Sequence, residues 1–156
     1  LLRSCSPGAE IKQCGMAKEK RPLVFFGISK KPVALLASFI GGLGVVLGAF
    51  AAHGLKPLLS VSALESFNTG IRYQMYHAFL LFYIGSTSRL NNKQQSLLYK
   101  LILSGILLFS GSIYLLSTND LTSFNFKVIG FVTPLGGLFL ISSWALLFSY
   151  NLRNKS

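Results

Sequence analysis

VALLASFIGGLGVVLGAFAA, residues 33–52, runs for twenty positions without a single charge. As a helix rising 1.5 Å per residue it covers about 30 Å, the depth of a bilayer's hydrocarbon core. Lys31-Pro32 in front of it suits a helix entry, because proline's fixed φ and missing N–H fit the first turn. Three more apolar runs follow: YQMYHAFLLFYIGSTS (73–88), LLYKLILSGILLFSGSIYLLST (97–118) and VIGFVTPLGGLFLISSWALLFSY (128–150). None alternates with the period of two that a membrane barrel strand requires. The expected fold class is therefore all-α, a four-helix transmembrane bundle. Between spans one and two, LLSVSALESFNTG (58–70) places Leu59, Ala63 and Phe67 on one helical face, which predicts a short amphipathic interfacial helix.

Composition points the same way. Of 156 residues 51% are hydrophobic and 12% charged, about half the ~25% of an ordinary soluble domain, and mean hydropathy is +0.55. A net charge of +11 raises the question of nucleic acid. The basic residues flank apolar spans rather than share one face, so the expected partner is the lipid bilayer and not nucleic acid. With both termini inside, ten cations (Lys18, Lys20, Arg21, Lys30, Lys31, Arg89, Lys93, Lys100, Arg153 and Lys155) fall on the inner side. Only Lys56, Arg72 and Lys127 fall outside, and the positive-inside rule selects that orientation. The expected location is a bacterial inner (plasma) membrane, with the mitochondrial inner membrane as the alternative.

The domain organisation expected is a basic polar leader (1–31), a membrane domain (32–150) and a basic tail (151–156). Within the leader, residues 1–15 read either as an upstream translation artefact or as part of an organelle-targeting segment. Both cysteines, Cys5 and Cys14, lie there without any CxxC or Cys/His ligand spacing, so no metal and no cofactor is expected.

Two sets of residues stand out. Gly44, Gly48 and Ala52 form a small-xxx-small stripe on the first span, of the kind that lets helix backbones approach closely. The third span answers with Ser104, Gly111 and Thr118, flanked by Gly105 and Ser112. In the fourth, Thr133-Pro134 ahead of Gly136-Gly137 predicts a kink that frees the carbonyl of Gly130, and Trp144 and Tyr150 read as an interfacial aromatic pair.

The second set is a polar mouth on the outer side. His53 and Lys56 end span one, Glu65 sits on the amphipathic segment, and Arg72, Tyr73, Gln74 and His77 open span two. Tyr73, Gln74 and His77 share a helical face and should turn away from lipid. Three readings of this cluster are open: mutual satisfaction of polar groups, a bis-histidine haem or metal on His53 and His77, or a pocket for a lipid head group, quinone or small solute. No triad, phosphate loop or carboxylate pair is present, so catalysis is not expected.

GLGVVLGAFAAHGLK (42–56), FNTGIRYQMYHAFLL (67–81), SGILLFSGSIYLL (104–116) and TPLGGLFLISSW (133–144) together resemble the small membrane proteins of domain of unknown function 423. That family is also called the UPF0382 inner-membrane family and is related to eukaryotic transmembrane protein 256. The resemblance runs from about Gly41 to Phe148. It implies four transmembrane helices and brings no established activity. Its pattern falls on Gly48, Ala52, His53, Gly54, Phe67, Tyr73, Gln74, His77, Ser110, Gly111, Pro134, Gly136, Gly137 and Trp144. Ser143 departs from it, standing where relatives place glycine, and the long leader lies outside it. The function expected is that of a structural or accessory component of a membrane assembly or homo-oligomer. The alternative is binding or transport of a small solute, lipid or quinone around His53 and His77.

Overall fold

The computed structural model describes residues 30–123 and 125–153, and the described residues form helices joined by short turns. Four long helices account for nearly all of them: α1 (Lys30–Phe50), α2 (Val61–Ser86), α3 (Asn92–Ser117) and α4 (Val132–Arg153). Most of the leader and residues 154–156 of the tail, with Cys5 and Cys14, lie outside the described residues. The four-helix, all-α architecture agrees with the sequence reading. Pro32–Leu55, Asn92–Ser117 and Val132–Arg153 are each long and apolar enough to cross a membrane. At 26 residues α2 is long enough too, about 39 Å, but it carries Glu65, Arg72, Gln74 and His77 among its apolar side chains.

The helices pack in chain order, α1 against α2, α2 against α3 and α3 against α4. The two middle helices are thus covered on two sides, which explains how α2 tolerates its polar residues. The main core joins Ala37 and Ile40 of α1, Leu81 and Ile84 of α2, Leu98 and Ile102 of α3, and Leu140 and Leu147 of α4. Outward faces are apolar as well. Phe39, Val45, Phe79, Leu107, Ile141 and Phe148 leave 64–67% of their surface uncovered, a pattern suited to hydrocarbon rather than water. Hydroxyls on these faces are satisfied locally: Ser38, Ser86 and Ser149 each donate to the carbonyl four residues earlier.

The ends of the helices are set by ordinary capping chemistry. Ser60 caps α2, its Oγ accepting the Ala63 N–H at 3.3 Å. Asn91 and Gln94 form a reciprocal capping box at the start of α3. Beyond Phe50, α1 widens into one π-helical turn, Ala51–Leu55, closed by Lys56 N–H donating to Ala51 O at 3.1 Å. Pro57, with no N–H to give, follows it.

Three expectations about local structure need correction. The amphipathic segment is not a separate interfacial helix. It is the first part of α2, which runs unbroken from Val61 through Gly70. Its polar residues lie along that continuous helix, where Thr69 and Arg72 bond back to their own helix. Pro134 is not a mid-span kink. The helix begins at Val132, so Pro134 occupies its first turn, where a missing N–H removes no helix hydrogen bond. Trp144, expected at an interface, lies in the middle of α4.

The small residues are used unequally. A Cβ added at Gly48 or Gly111 would meet nothing within 4 Å, and Ala52 is exposed. At Gly137 it would meet the Phe109 ring at 3.6 Å, an ordinary contact. At Gly136 it would collide with backbone, 2.7 Å from the Leu108 carbonyl carbon and 2.8 Å from Phe109 Cα. There α3 and α4 touch main chain to main chain, and no rotamer change relieves the overlap. Gly136→Ala is expected to destabilise the bundle by about 1–3 kcal/mol, despite alanine's better helix propensity. Gly111→Ala should be neutral or slightly stabilising. Thermal unfolding of both variants in detergent, followed by circular dichroism, checks the contrast.

Candidate functional site

Gln74 is the residue around which the polar interior is built. On the buried side of α2, only 3% exposed, it has an amide that must find both a donor and acceptors inside the protein. Its Nε2 donates to the Ile40 carbonyl of α1 at 2.7 Å. Gly44, one turn on, leaves that carbonyl open: a Cβ there would lie 3.4 Å from Gln74 Nε2 and 2.7 Å from Met75 Sδ. Gln74 Oε1 accepts the Tyr114 hydroxyl of α3 at 2.7 Å. The Tyr114 ring packs on Phe67, centroids 4.7 Å apart, and crosses α2 where Gly70 has no side chain. One turn before Tyr114, Ser110 Oγ donates to the Gly70 carbonyl at 2.9 Å.

One turn beyond Gln74, His77 extends the network to α4. Its Nδ1 lies 2.8 Å from the Tyr73 carbonyl and its Nε2 lies 3.2 Å from Trp144 Nε1. An indole N–H only donates, so Nε2 is the acceptor and the proton sits on Nδ1, facing the carbonyl. Both ring nitrogens are thereby engaged, and neither has a lone pair to offer a metal. Tyr73 stacks beside the imidazole, centroids 6.3 Å apart, and tilts onto Phe109 of α3 at 4.8 Å. A further link between α3 and α4 is the 2.7 Å contact of the Ser112 and Thr133 hydroxyls.

The polar mouth expected from sequence thus divides in two. Tyr73, Gln74 and His77 come together, at mid-depth rather than at the rim: His77 lies about 24 Å along α2 from Val61. His53, Lys56 and Glu65 stay at the rim, whereas Arg72, next to Tyr73 in depth, turns outward on α2; all four are exposed. Arg72 is spent on its own helix, on Asn68 O and Thr69 Oγ1, rather than on Glu65. His53 sits in the turn after α1 and shares no bond with His77. Among the described residues no three His, Cys, Asp or Glu side chains gather as a metal centre would need. Gly44 and Trp144 belong to the interior network, whereas Gly48, Ala52 and Gly111 do not. Pro134 and Gly137 start α4.

Of the other half of the network, Tyr114 escaped the sequence reading and Ser110 entered it only as a position of the family resemblance. Their spacing of four put them on one face of α3, and that spacing is the signal that marks them. The seam singled out on α3 instead, Ser104–Gly111–Thr118, is one position off the buried face, which carries Gly105 and Ser112.

Such a saturated polar core inside an apolar exterior defines a small integral membrane protein of the four-helix type. The chain belongs to the family described as Protein of unknown function (DUF423), which it matches over residues 47–137. A UPF0382 membrane protein of Haemophilus influenzae is 36% identical over 127 residues, covering 81% of this chain and 98% of the relative. The UPF0382 membrane protein YwdK of Bacillus subtilis is 36% identical over 119 residues, 75% of this chain and 93% of its own length. The UPF0382 inner membrane protein YgdD of Escherichia coli is 30% identical over 124 residues, 78% of this chain and 89% of its own. No solved structure gives a significant match.

Removing the amide should be felt across three helices. Gln74→Leu is expected to lower stability by about 1–3 kcal/mol, because it strands the Tyr114 hydroxyl as well as losing two bonds. A double-mutant cycle with Tyr114→Phe should return a coupling of about 0.5–1.5 kcal/mol. Trp144 is the sole tryptophan, so its fluorescence reports on His77 directly. In His77→Phe its emission should shift to the blue as the indole loses its acceptor, and an unchanged spectrum would contradict the assigned bond.

Proposed function

We propose that this chain is a non-catalytic integral membrane protein, a structural or accessory component of a larger membrane assembly or of a homo-oligomer. The observation that carries this reading is the closed interior. Gln74, Ser110 and Tyr114 spend their polar atoms on bonds between helices, and His77 divides its two between Trp144 of α4 and the Tyr73 carbonyl of its own helix, so that no nucleophile, acid–base pair or open ligand position is left beside them. What the molecule offers to partners is its outside: apolar helix faces within the bilayer and basic segments at its ends.

The membrane is an inner (plasma) membrane of bacterial type, or the mitochondrial inner membrane, with both termini inside. The inner-membrane name of the Escherichia coli relative and the ten-to-three bias of cations between the two sides support this placement.

Gentle extraction into mild detergent followed by native mass spectrometry should reveal an oligomer or stoichiometric partner proteins. A monodisperse monomer with nothing bound would overturn the assembly role. Orientation has its own measurement. A fluorescent protein fused after Ser156 should fluoresce in bacterial cells, while alkaline phosphatase at the same position should be inactive; the opposite pair of results reverses the topology.

A further inference from the structure

A second polar region lies at the end of the bundle where α2 and α4 begin and α3 stops. Ser60, Ser62 and Ser66 of the first turns of α2, Ser117 of α3, Asp120 and Thr133 line a cavity of about 370 Å³ there. Ser60, Ser62, Ser66 and Thr133 are already bonded, to one another's atoms, to Ala63 N–H or to Ser112, whereas Ser117 and Asp120 are left unmatched or weakly matched. Ser117 is 7% exposed, yet its Oγ has no hydrogen-bond partner, alone among the buried side-chain polar atoms of the described residues. Native proteins seldom leave such a group unmatched, and it points to a missing partner. Asp120 is exposed and accepts a 3.3 Å contact from Asn119 Nδ2.

The groups lining the cavity differ in electrical character. The start of α2 presents first-turn N–H groups, since the Ser60 cap takes only that of Ala63, together with the Ser62 hydroxyl. These attract an anion. The same cavity is lined by Asp120, whose carboxylate attracts a hydrogen-bonding cation, and by Ser117, whose oxygen has no partner. Ile113 and Leu116 supply an apolar flank. Both poles sit at the bundle's end, the depth at which phospholipid head groups lie.

We infer that this cavity binds a phosphoethanolamine group, its phosphate at the start of α2 and its primary ammonium between Asp120 and Ser117. Quaternary ammonium has no N–H to donate and glycerol has no positive charge, so phosphatidylcholine and phosphatidylglycerol meet only half of the site. The proposal stands independently of any assembly role.

The full chain, purified in mild detergent, is offered equal amounts of phosphatidylethanolamine, phosphatidylcholine and phosphatidylglycerol with identical acyl chains, and adducts are counted by native mass spectrometry. Phosphatidylethanolamine should be retained about tenfold over the other two, as one well-placed charged hydrogen bond provides. Asp120→Asn, at an exposed position, should keep its helicity and lose the preference over phosphatidylcholine. Ser62→Ala should weaken phosphatidylethanolamine and phosphatidylcholine alike. Excess O-phosphoethanolamine that displaces the lipid assigns the site to the head group from either source; lipid that stays bound assigns it to the membrane lipid alone. Equal retention of all three lipids, or an unaltered preference in Asp120→Asn, overturns the inference.

Discussion

A buried amide within a bilayer has no water to fall back on, and that constraint governs this bundle. Gln74 can satisfy its donor only at the Ile40 carbonyl and its acceptor only at the Tyr114 hydroxyl while α1, α2 and α3 keep one relative register. Apolar helix faces in lipid discriminate poorly between registers, because a slip of one turn exchanges one hydrocarbon contact for another. A slip of α1 by one turn would instead carry the Ile40 carbonyl about 5.4 Å from its donor. His77 and Trp144 impose the same discipline on α4. The polar residues thus contribute specificity beyond their modest bond energies.

Those bonds form only because backbones are allowed near. Gly44 and Gly70 occupy the sites where side chains from the next helix reach main-chain carbonyls, and Gly136 marks the place where α3 and α4 meet with no side chain between them. Smallness by itself is not the criterion. Gly48 and Gly111 belong to equally regular stripes yet face open space, since a stripe becomes a seam only where a partner helix lies along it.

This is also why sequence carried the reading only part of the way. The apolar runs of α1, α3 and α4 declared themselves through length and absence of charge. The start of α2 did not: taking it at Tyr73 instead of Val61 shifted the helix by twelve residues, about 18 Å of depth. The same side chains, Gln74 and His77, then change from rim residues into interior ones, and His53 loses them as neighbours. Glu65, Arg72 and their polar neighbours suggested a boundary, although they lie along a continuous helix. Pro134 was misplaced by the converse error, a helix begun at Val128 rather than Val132. Tyr114 was invisible for a different reason. Its role is defined by Gln74, forty positions away: the spacing from Ser110 marks a shared face of α3 without naming the partner.

The outcome is a molecule with two polar zones of opposite kind. At mid-depth the hydrogen bonds close on one another, and replacing any of them with an outside ligand would break the register of the helices. At the end of the bundle the groups are incompletely matched, Ser117 entirely so, and a guest there would disturb no bond of the Gln74 or His77 network. A rigid interior and an unsatisfied rim divide the work. Holding the helices together falls to the first, and of these two polar zones the second is the one with groups left for a small guest.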